Sequence, residues 1–261
     1  MCVASATLVV WSSAWLAGRA ASDDVLDAMQ VWAARHELEV ADHQAADITG
    51  LPATRTSSPA GLLPVLRTFG SPPALVLPAP GDPRGLDAGG PFTKEALRAG
   101  EAVVLADAGI GLVPQATAED VMRWRVHRLL ATPVFDHVTL AQAEEELTVA
   151  VRDSAAELAA LQVANERPDA HEALRAHLRA RPPLSWPDAM PGRSLRVLQQ
   201  ADEVAAILAL ADADNPGGAL SASAAAMRAA ALRRPAAAVR MARTAAIAEA
   251  VRILSEQPNR R

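Results

Sequence analysis

The chain has 261 residues, 51% of them hydrophobic and 21% charged, which is enough apolar material for a sizeable core and predicts two domains. A formal net charge of −5 opposes general affinity for nucleic acid, and the single cysteine, Cys2, excludes an intramolecular disulfide and a thiolate zinc cluster. Outside residues 3–21 no run reaches about 18 apolar residues, and that segment lacks the basic start of a secretory signal, so we expect a cytoplasmic protein without a membrane span.

Lys94 is the only lysine, and the other 24 basic residues are arginines. This skew is typical of a GC-rich bacterial coding sequence. Aromatic residues make up only 3% of the chain, and much of its apolar content is alanine and leucine. The core must therefore be built from small and aliphatic side chains, which favours closely packed helices.

The first half of the chain alternates short apolar runs with helical segments. Strands are predicted at residues 7–11, 39–42 and 74–77, and helices at residues 22–38, 59–69 and 93–99. Such alternation is typical of parallel strands joined by crossover helices. On this interpretation residues 7–24 are predicted to form a strand, a loop and a helix that begins at the cap Ser22. Because Asp23 and Asp24 already occupy the positive end of that helix, we expect ordinary capping there and no phosphate site.

A loop rich in glycine and proline covers residues 70–91. Gly85 and Gly90 have the spacing of the two glycines of a P-loop, but Pro91 stands where the lysine is required and offers no N–H. A stiff surface loop is the simpler interpretation. A looser anion site that uses Arg84 and Lys94 stays an alternative.

Residues 102–106, 110–114 and 121–127 are predicted to form an antiparallel meander. Side chains of the last strand alternate, which places an apolar set on one face of the sheet and a cationic set on the other. The cationic face is a candidate site for an acidic partner or a phosphate. The apolar set is Met122, Trp124 and Val126, and the cationic set is Arg123, Arg125 and His127.

The second half is predicted to be an antiparallel helical bundle. Pro133 ends the sheet region, and Thr139 caps a long helix whose apolar stripe is Ala143, Leu147, Val151, Ser154, Leu158 and Leu161. Further helices are expected at residues 169–179, at 194–211 and from 221 onward, the last changing direction at Pro235. The fold class is thus α+β and predominantly helical, with a mixed α/β domain over residues 1–133 that has a partly antiparallel sheet, and an Ala-rich helical bundle over residues 139–261.

Charge is uneven along the chain, since residues 219–261 carry +6 and the preceding residues −11. A basic end on an acidic body can dock onto its own molecule, onto a second copy or onto an anionic partner. Nucleic-acid binding through these helices is the weaker alternative, because no aromatic residue follows Trp186 to stack on bases. The candidate partner-binding residues are Arg228, Arg233, Arg234, Arg240 and Arg243.

No metal-ligand spacing, nucleophile elbow or cofactor motif is present, so we predict no metal site, no cofactor and no catalytic residues. The sequence favours a non-enzymatic interaction or regulatory protein that acts through its helical domain, as a homo-oligomer or with a protein partner. The alternative is an enzyme or sensor that binds a small anionic, phosphorylated ligand near residues 81–94. Its candidate ligand-binding residues are Arg84, Lys94, Arg123, Arg125 and His127.

Overall fold

The computed structural model describes residues 3–86, 89–131, 133–135, 137–161, 169–213 and 221–256, so Cys2 lies outside the described residues. They fall into two compact units. An α/β unit contains residues 3–137, 182–191 and 247–256, and a helical unit contains residues 138–181 and 192–246. The predicted α+β class with a majority of helix is confirmed. The predicted domain bounds stay a prediction.

The α/β unit is built around a mixed sheet. Its helices are α1 (Ala4–Leu16), α2 (Ser22–Met29), α3 (His43–Thr49), α4 (Leu62–Phe69, after a 3-10 turn at Pro59–Gly61) and α5 (Pro91–Ala99). Its strands are β1 (Arg35–Val40), β2 (Ala74–Val76), β3 (Ala102–Leu105), β4 (Ile110–Ala118) and β5 (Val121–Arg128). The strand order is β1-β5-β4-β3-β2, with β1 parallel to β5 and the other pairs antiparallel. The predicted meander is therefore present, and among the described strands only β1 and β5 form a parallel pair.

The strand predicted at residues 7–11 is wrong, because this segment lies inside α1. Val9 and Val10 are fully buried, and so are residues on the other sides of the helix. A helix that is buried all round has no polar face, so its β-branched apolar run cannot be told from a buried strand by periodicity. Ser12 and Ser13 are accommodated because their hydroxyls donate to the carbonyls of Leu8 and Val9 one turn earlier.

The helix predicted over residues 22–38 is too long, and the strand predicted at 39–42 begins too late. Helix α2 ends at Met29, and β1 runs from Arg35 to Val40. The N-cap is Ala21 and not Ser22, and its N–H donates to the Asp24 carboxylate at 2.7 Å. The expected capping role of this first turn is thus retained, one residue earlier.

Different helices pack against the two faces of the sheet. Helix α1 packs on β2, β3 and β4, and the apolar pocket on this face is lined by residues of α1, α2 and α4 together with Leu38 and Trp124. Helix α5 covers β4 and β5 on the other face, where Phe92 and Ala96 join a core cluster with Val104 and Val113. The predicted alternation of β5 is present, since Trp124 and Val126 are buried on the first face.

The helical unit contains α6 (Leu140–Ala160), α7 (Ala170–Arg179), α8 (Gly192–Ala213) and most of α9 (Ala222–Glu256). Thr139 caps α6 as predicted, because its Oγ1 accepts the N–H of Gln142, whose side chain returns to the Thr139 N–H. Ala143, Leu147 and Ser154 are buried as the stripe requires, but Val151 is exposed, which corrects that position.

Helix α9 runs through Pro235 as one element, and the change of direction predicted there stays a prediction. Pro235 has no N–H to offer to the Ala231 carbonyl four residues earlier. The hydroxyl of Ser154 on α6 donates to that carbonyl at 2.9 Å, in a buried environment. A side chain from a neighbouring helix therefore replaces the missing backbone donor.

Ion pairs fix the directions of the long helices. Glu144 near the start of α6 pairs with Arg193 at the start of α8. Along α9, Arg243 pairs with Asp202 of α8, and the earlier Arg228 donates to the carbonyl of Ala211 near the α8 end. Helix α9 therefore runs antiparallel to α8. It also runs antiparallel to α6, because Glu146 and Ser154 of α6 contact Arg234 and Ala231 in the reverse order, so α6 and α8 are parallel.

Candidate functional site

A charged face of the sheet is formed where β1 lies beside β5. The strand register places Glu37 opposite Arg123 and Glu39 opposite Arg125. The Arg123 guanidinium contacts Glu39 at 2.7 Å and Glu37 at 3.2 Å. Because side chains at paired positions of one face are neighbours, the parallel pairing brings each arginine to a carboxylate.

Glu95 of α5 completes this face from above. Its Oε1 lies 3.3 Å from Arg125, and its Oε2 lies 3.0 Å from Nε2 of His127. Gln115 of β4 also donates to Oε2, at 2.9 Å. Helix α5 can approach so closely because β4 has a glycine under it: a Cβ at Gly111 would lie 2.3 Å from Phe92.

The structure therefore brings together three of the five candidate ligand-binding residues, Arg123, Arg125 and His127, but together with three carboxylates. Burial lowers the pKa of His127, with Glu95 opposing that shift. At neutral pH the cluster is close to charge balance, and an anion would have to displace carboxylates that are already bound. Anion binding at this face stays a prediction.

Arg84 and Lys94 lie in and after the Gly/Pro-rich loop. Arg84 adopts a positive φ of 54° and pairs with Asp82 at 2.9 Å. Lys94 is exposed on α5, which begins at Pro91 behind the N-cap Gly90. The small-ligand alternative near residues 81–94 stays a prediction, and residues 87 and 88 lie outside the described residues.

Two buried titratable groups belong to the apolar face and to the start of α1. His36 binds the Met29 carbonyl through Nε2 and accepts the indole N–H of Trp124 at Nδ1, which fixes the neutral tautomer; burial lowers the pKa of His36. Burial raises the pKa of Glu101, although the N–H of Ser5 in the first turn of α1 donates to it at 2.8 Å. Both groups are satisfied by structural partners.

The arginines of α9 are mostly engaged inside the helical unit. Arg243 is nearly buried and binds Asp202 through two nitrogens, at 2.5 and 3.0 Å. Arg228 is also nearly buried and donates to the Ala211 carbonyl at 2.6 Å. Arg234 lies between Glu146 and Asp153 of α6, Arg240 donates to the carbonyl of Ala236, and Arg233 is exposed. Much of the basic charge of α9 therefore stabilises the bundle, and partner binding by these arginines stays a prediction.

The seam between α6 and α8 begins at an ion pair and has exposed apolar residues farther along. The Glu144–Arg193 pair, at 2.8 Å, marks the sides that the two helices turn toward each other. Val151 follows Glu144 by seven residues and Ile207 follows Arg193 by fourteen, so both lie on these facing sides, with a drift of about 20° per seven residues. Val151 is nevertheless 36% exposed and Ile207 is 52% exposed.

Within the described residues, no three His, Cys, Asp or Glu side chains form a group that could hold a metal ion. In the same part of the chain no helix is both long and apolar enough to cross a membrane. Sequence reasoning missed Glu37, Glu39 and Glu95, the anionic half of the charged sheet face. The alternation of Glu37 and Glu39 with His36 and Leu38 is the pattern that could have found the first two.

Family models match both parts of the chain: the N-terminal domain of Rv1486c-like proteins over residues 5–137, and their C-terminal domain over residues 141–244. The chain is 37% identical over 241 residues to the uncharacterized protein MT1533 of Mycobacterium tuberculosis, covering 79% of this chain and 82% of that protein. It is 33% identical over 255 residues to the uncharacterized protein ML1804 of Mycobacterium leprae, covering 82% and 86%. No solved structure matches. The chain therefore belongs to the family of Rv1486c-like proteins.

Proposed function

We propose that this chain is a non-enzymatic interaction or regulatory protein of the cytoplasm, whose helical unit docks a protein partner. The observation that carries the proposal is the open seam, because Val151 and Ile207 expose branched apolar side chains beside a packed core. Single exposed apolar residues are ordinary on a protein surface, but Val151 and Ile207 lie on neighbouring helices of one unit, where a single partner helix can reach both.

The composition of the unit supports docking of helix against helix. Alanines and serines on α6 and α9 are small enough to let a partner helix come close, and Ala242 and Ala246 are fully buried in the unit. Helix α7, which packs on α8, buries none of its ten residues completely. A partner helix on the seam would cover apolar surface that is now in water.

The proposal is tested by site-specific crosslinking in living cells that express the chain. A photo-reactive amino acid replaces Ile207, or in a control chain Arg98, an exposed residue of α5. We expect protein adducts from position 207 and none from position 98. The further substitution Val151→Asp should abolish the adduct from position 207, because it places a charge in the seam. Equal adducts from both positions, or none from position 207, would refute the proposal.

A further inference from the structure

The side of α6 and α8 that faces away from α9 carries a regular charge pattern. On α6, Glu145 and Arg152 are both exposed and lie roughly half a turn around the helix from Ser154, which contacts α9. On α8, Arg196 and Glu203 are exposed and lie well away from the buried Ala201. We call these four residues, together with the seam residues Val151 and Ile207, the outer face.

Each helix of the outer face has one acid and one base, seven residues apart. Seven residues make about two turns and ~10 Å, so the two charges of a helix point the same way. The order is acid then base on α6, and base then acid on α8. Because the Glu144–Arg193 pair lies near the starts of two parallel helices, Glu145 lies within about one turn of the level of Arg196, and Arg152 within about one turn of the level of Glu203.

This pattern is complementary to itself. A two-fold axis along the helices places α6 on α8 of the second copy, so that Glu145 meets Arg196 and Arg152 meets Glu203. A two-fold axis across the helices places α6 on α6, so that Glu145 meets Arg152, and α8 on α8, so that Arg196 meets Glu203. Neither arrangement brings like charges together, and each forms its contacts twice, as an isologous interface does.

The bonds that these charges make within the chain leave them available. Arg152 is 72% exposed and lies 3.7 Å from its neighbour Asp153, a distance at which an exposed pair contributes little. Glu203 accepts a hydrogen bond from Gln199 on its own helix at 3.2 Å. Between the two lines of charge, Thr148 and Ala155 are small enough to let a partner helix come close.

We propose that the outer face is the surface by which two copies of this chain form a symmetric dimer. The inference rests on the proposed function and specifies its partner as a second copy. Four contacts between opposite charges of the two copies select the partner and the register. The seam residues Val151 and Ile207 supply apolar surface that the dimer would bury.

The test measures the mass of the purified full chain by sedimentation velocity between about 1 and 100 µM protein. We expect a dimer of the 27.3 kDa chain, and monomers for Ile207→Glu. Arg152→Glu should raise the dimer Kd by about tenfold or more, because it creates two like-charge contacts at once. The matched control is Arg175→Glu, on the exposed side of α7, which should change Kd less than twofold. Circular dichroism checks that each variant is folded.

A second charge reversal, added to Arg152→Glu, identifies which two-fold axis relates the two copies. Glu203→Arg restores the dimer of Arg152→Glu if α6 lies on α8 of the partner, and Glu145→Arg restores it if α6 lies on α6. A wild-type chain that is monomeric at 100 µM, or a dimer that neither second reversal restores, would overturn the inference. The proposed function fails separately: crosslinks from position 207 to another protein, with a monomeric purified chain, refute the second copy and leave docking intact.

Discussion

One substitution tests whether the Ser154 hydroxyl replaces the backbone N–H that Pro235 lacks. Ser154→Ala leaves the Ala231 carbonyl without the donor that lies 2.9 Å away, in a site where Ser154 is 5% exposed. A buried carbonyl that loses its partner costs about 1–3 kcal/mol, and the methyl group left behind creates almost no cavity. With an m-value of about 2 kcal/mol/M, the urea midpoint should fall by roughly 0.5–1.5 M.

A double-mutant cycle separates this effect from a general loss of packing. Pro235→Ala supplies a backbone N–H at position 235, which can reach the Ala231 carbonyl in the ordinary helical way. In that background Ser154→Ala should cost less than about 1 kcal/mol, which gives a coupling energy of about 1–2 kcal/mol. Urea unfolding followed by circular dichroism measures all four chains.

The control is Ser255→Ala, since Ser255 is exposed on α9 and its hydroxyl only returns to the Val251 carbonyl of its own helix. This change should stay within about 0.5 kcal/mol of the wild type. An equal cost of Ser154→Ala with and without Pro235 would refute the reasoning, because the hydroxyl would then have a role that does not depend on the missing N–H.

Three further predictions concern the two units separately. Asp202→Ala leaves the nearly buried Arg243 without its carboxylate and should lower the free energy of unfolding by about 3 kcal/mol in urea, whereas an unchanged midpoint would contradict an internal role for this arginine. Because burial lowers the pKa of His36 in the folded state, the unfolded state binds more protons near and below about pH 6.5. The free energy of unfolding should therefore decrease as the pH is lowered, by at most about 1.4 kcal/mol per pH unit for this group. His36→Gln should flatten that slope between about pH 7.5 and 5.5, and an unchanged slope would refute the prediction. Gly111→Ala puts a methyl group 2.3 Å from Phe92 and should cost about 2 kcal/mol or more, part of which Phe92→Leu should recover if the clash is the cause.

Local patterns predicted the elements whose burial is one-sided. Strand β5 has a buried face and a polar face, so its alternation was visible, and Thr139 with Gln142 marked the start of α6. Helix α1 could not be recognised in this way, because it is buried on nearly every side and its sequence has no polar face to give the helical period. The difference lies in the surroundings of the element and not in the strength of its own propensity.

The charged sheet face was only half predictable for a related reason. The cations of β5 could be placed on one face from their spacing, but the register that puts Glu37 and Glu39 beside them depends on a parallel pairing across 86 residues. Glu95 comes from a third element, α5, and meets His127 because Gly111 admits Phe92. Such long-range matches arise from packing, which no local pattern contains.

The charged residues of this protein can therefore predict a partner only after the ion pairs inside the chain have been identified. The +6 of residues 219–261 left open docking onto the same molecule, onto a second copy or onto an anionic partner, and Arg234 and Arg243 of α9 find carboxylates on α6 and α8. On the outer face, by contrast, Glu145 and Arg196 carry almost no net charge between them and were not predicted to matter. Within the described residues these charges form no ion pair with another helix, and they are spaced two turns apart on each helix. A second copy of the chain can complement such an arrangement. Part of the excess charge of α9 is thus used in pairs inside the helical unit, and in the proposed dimer the balanced charges of α6 and α8 would select the second copy.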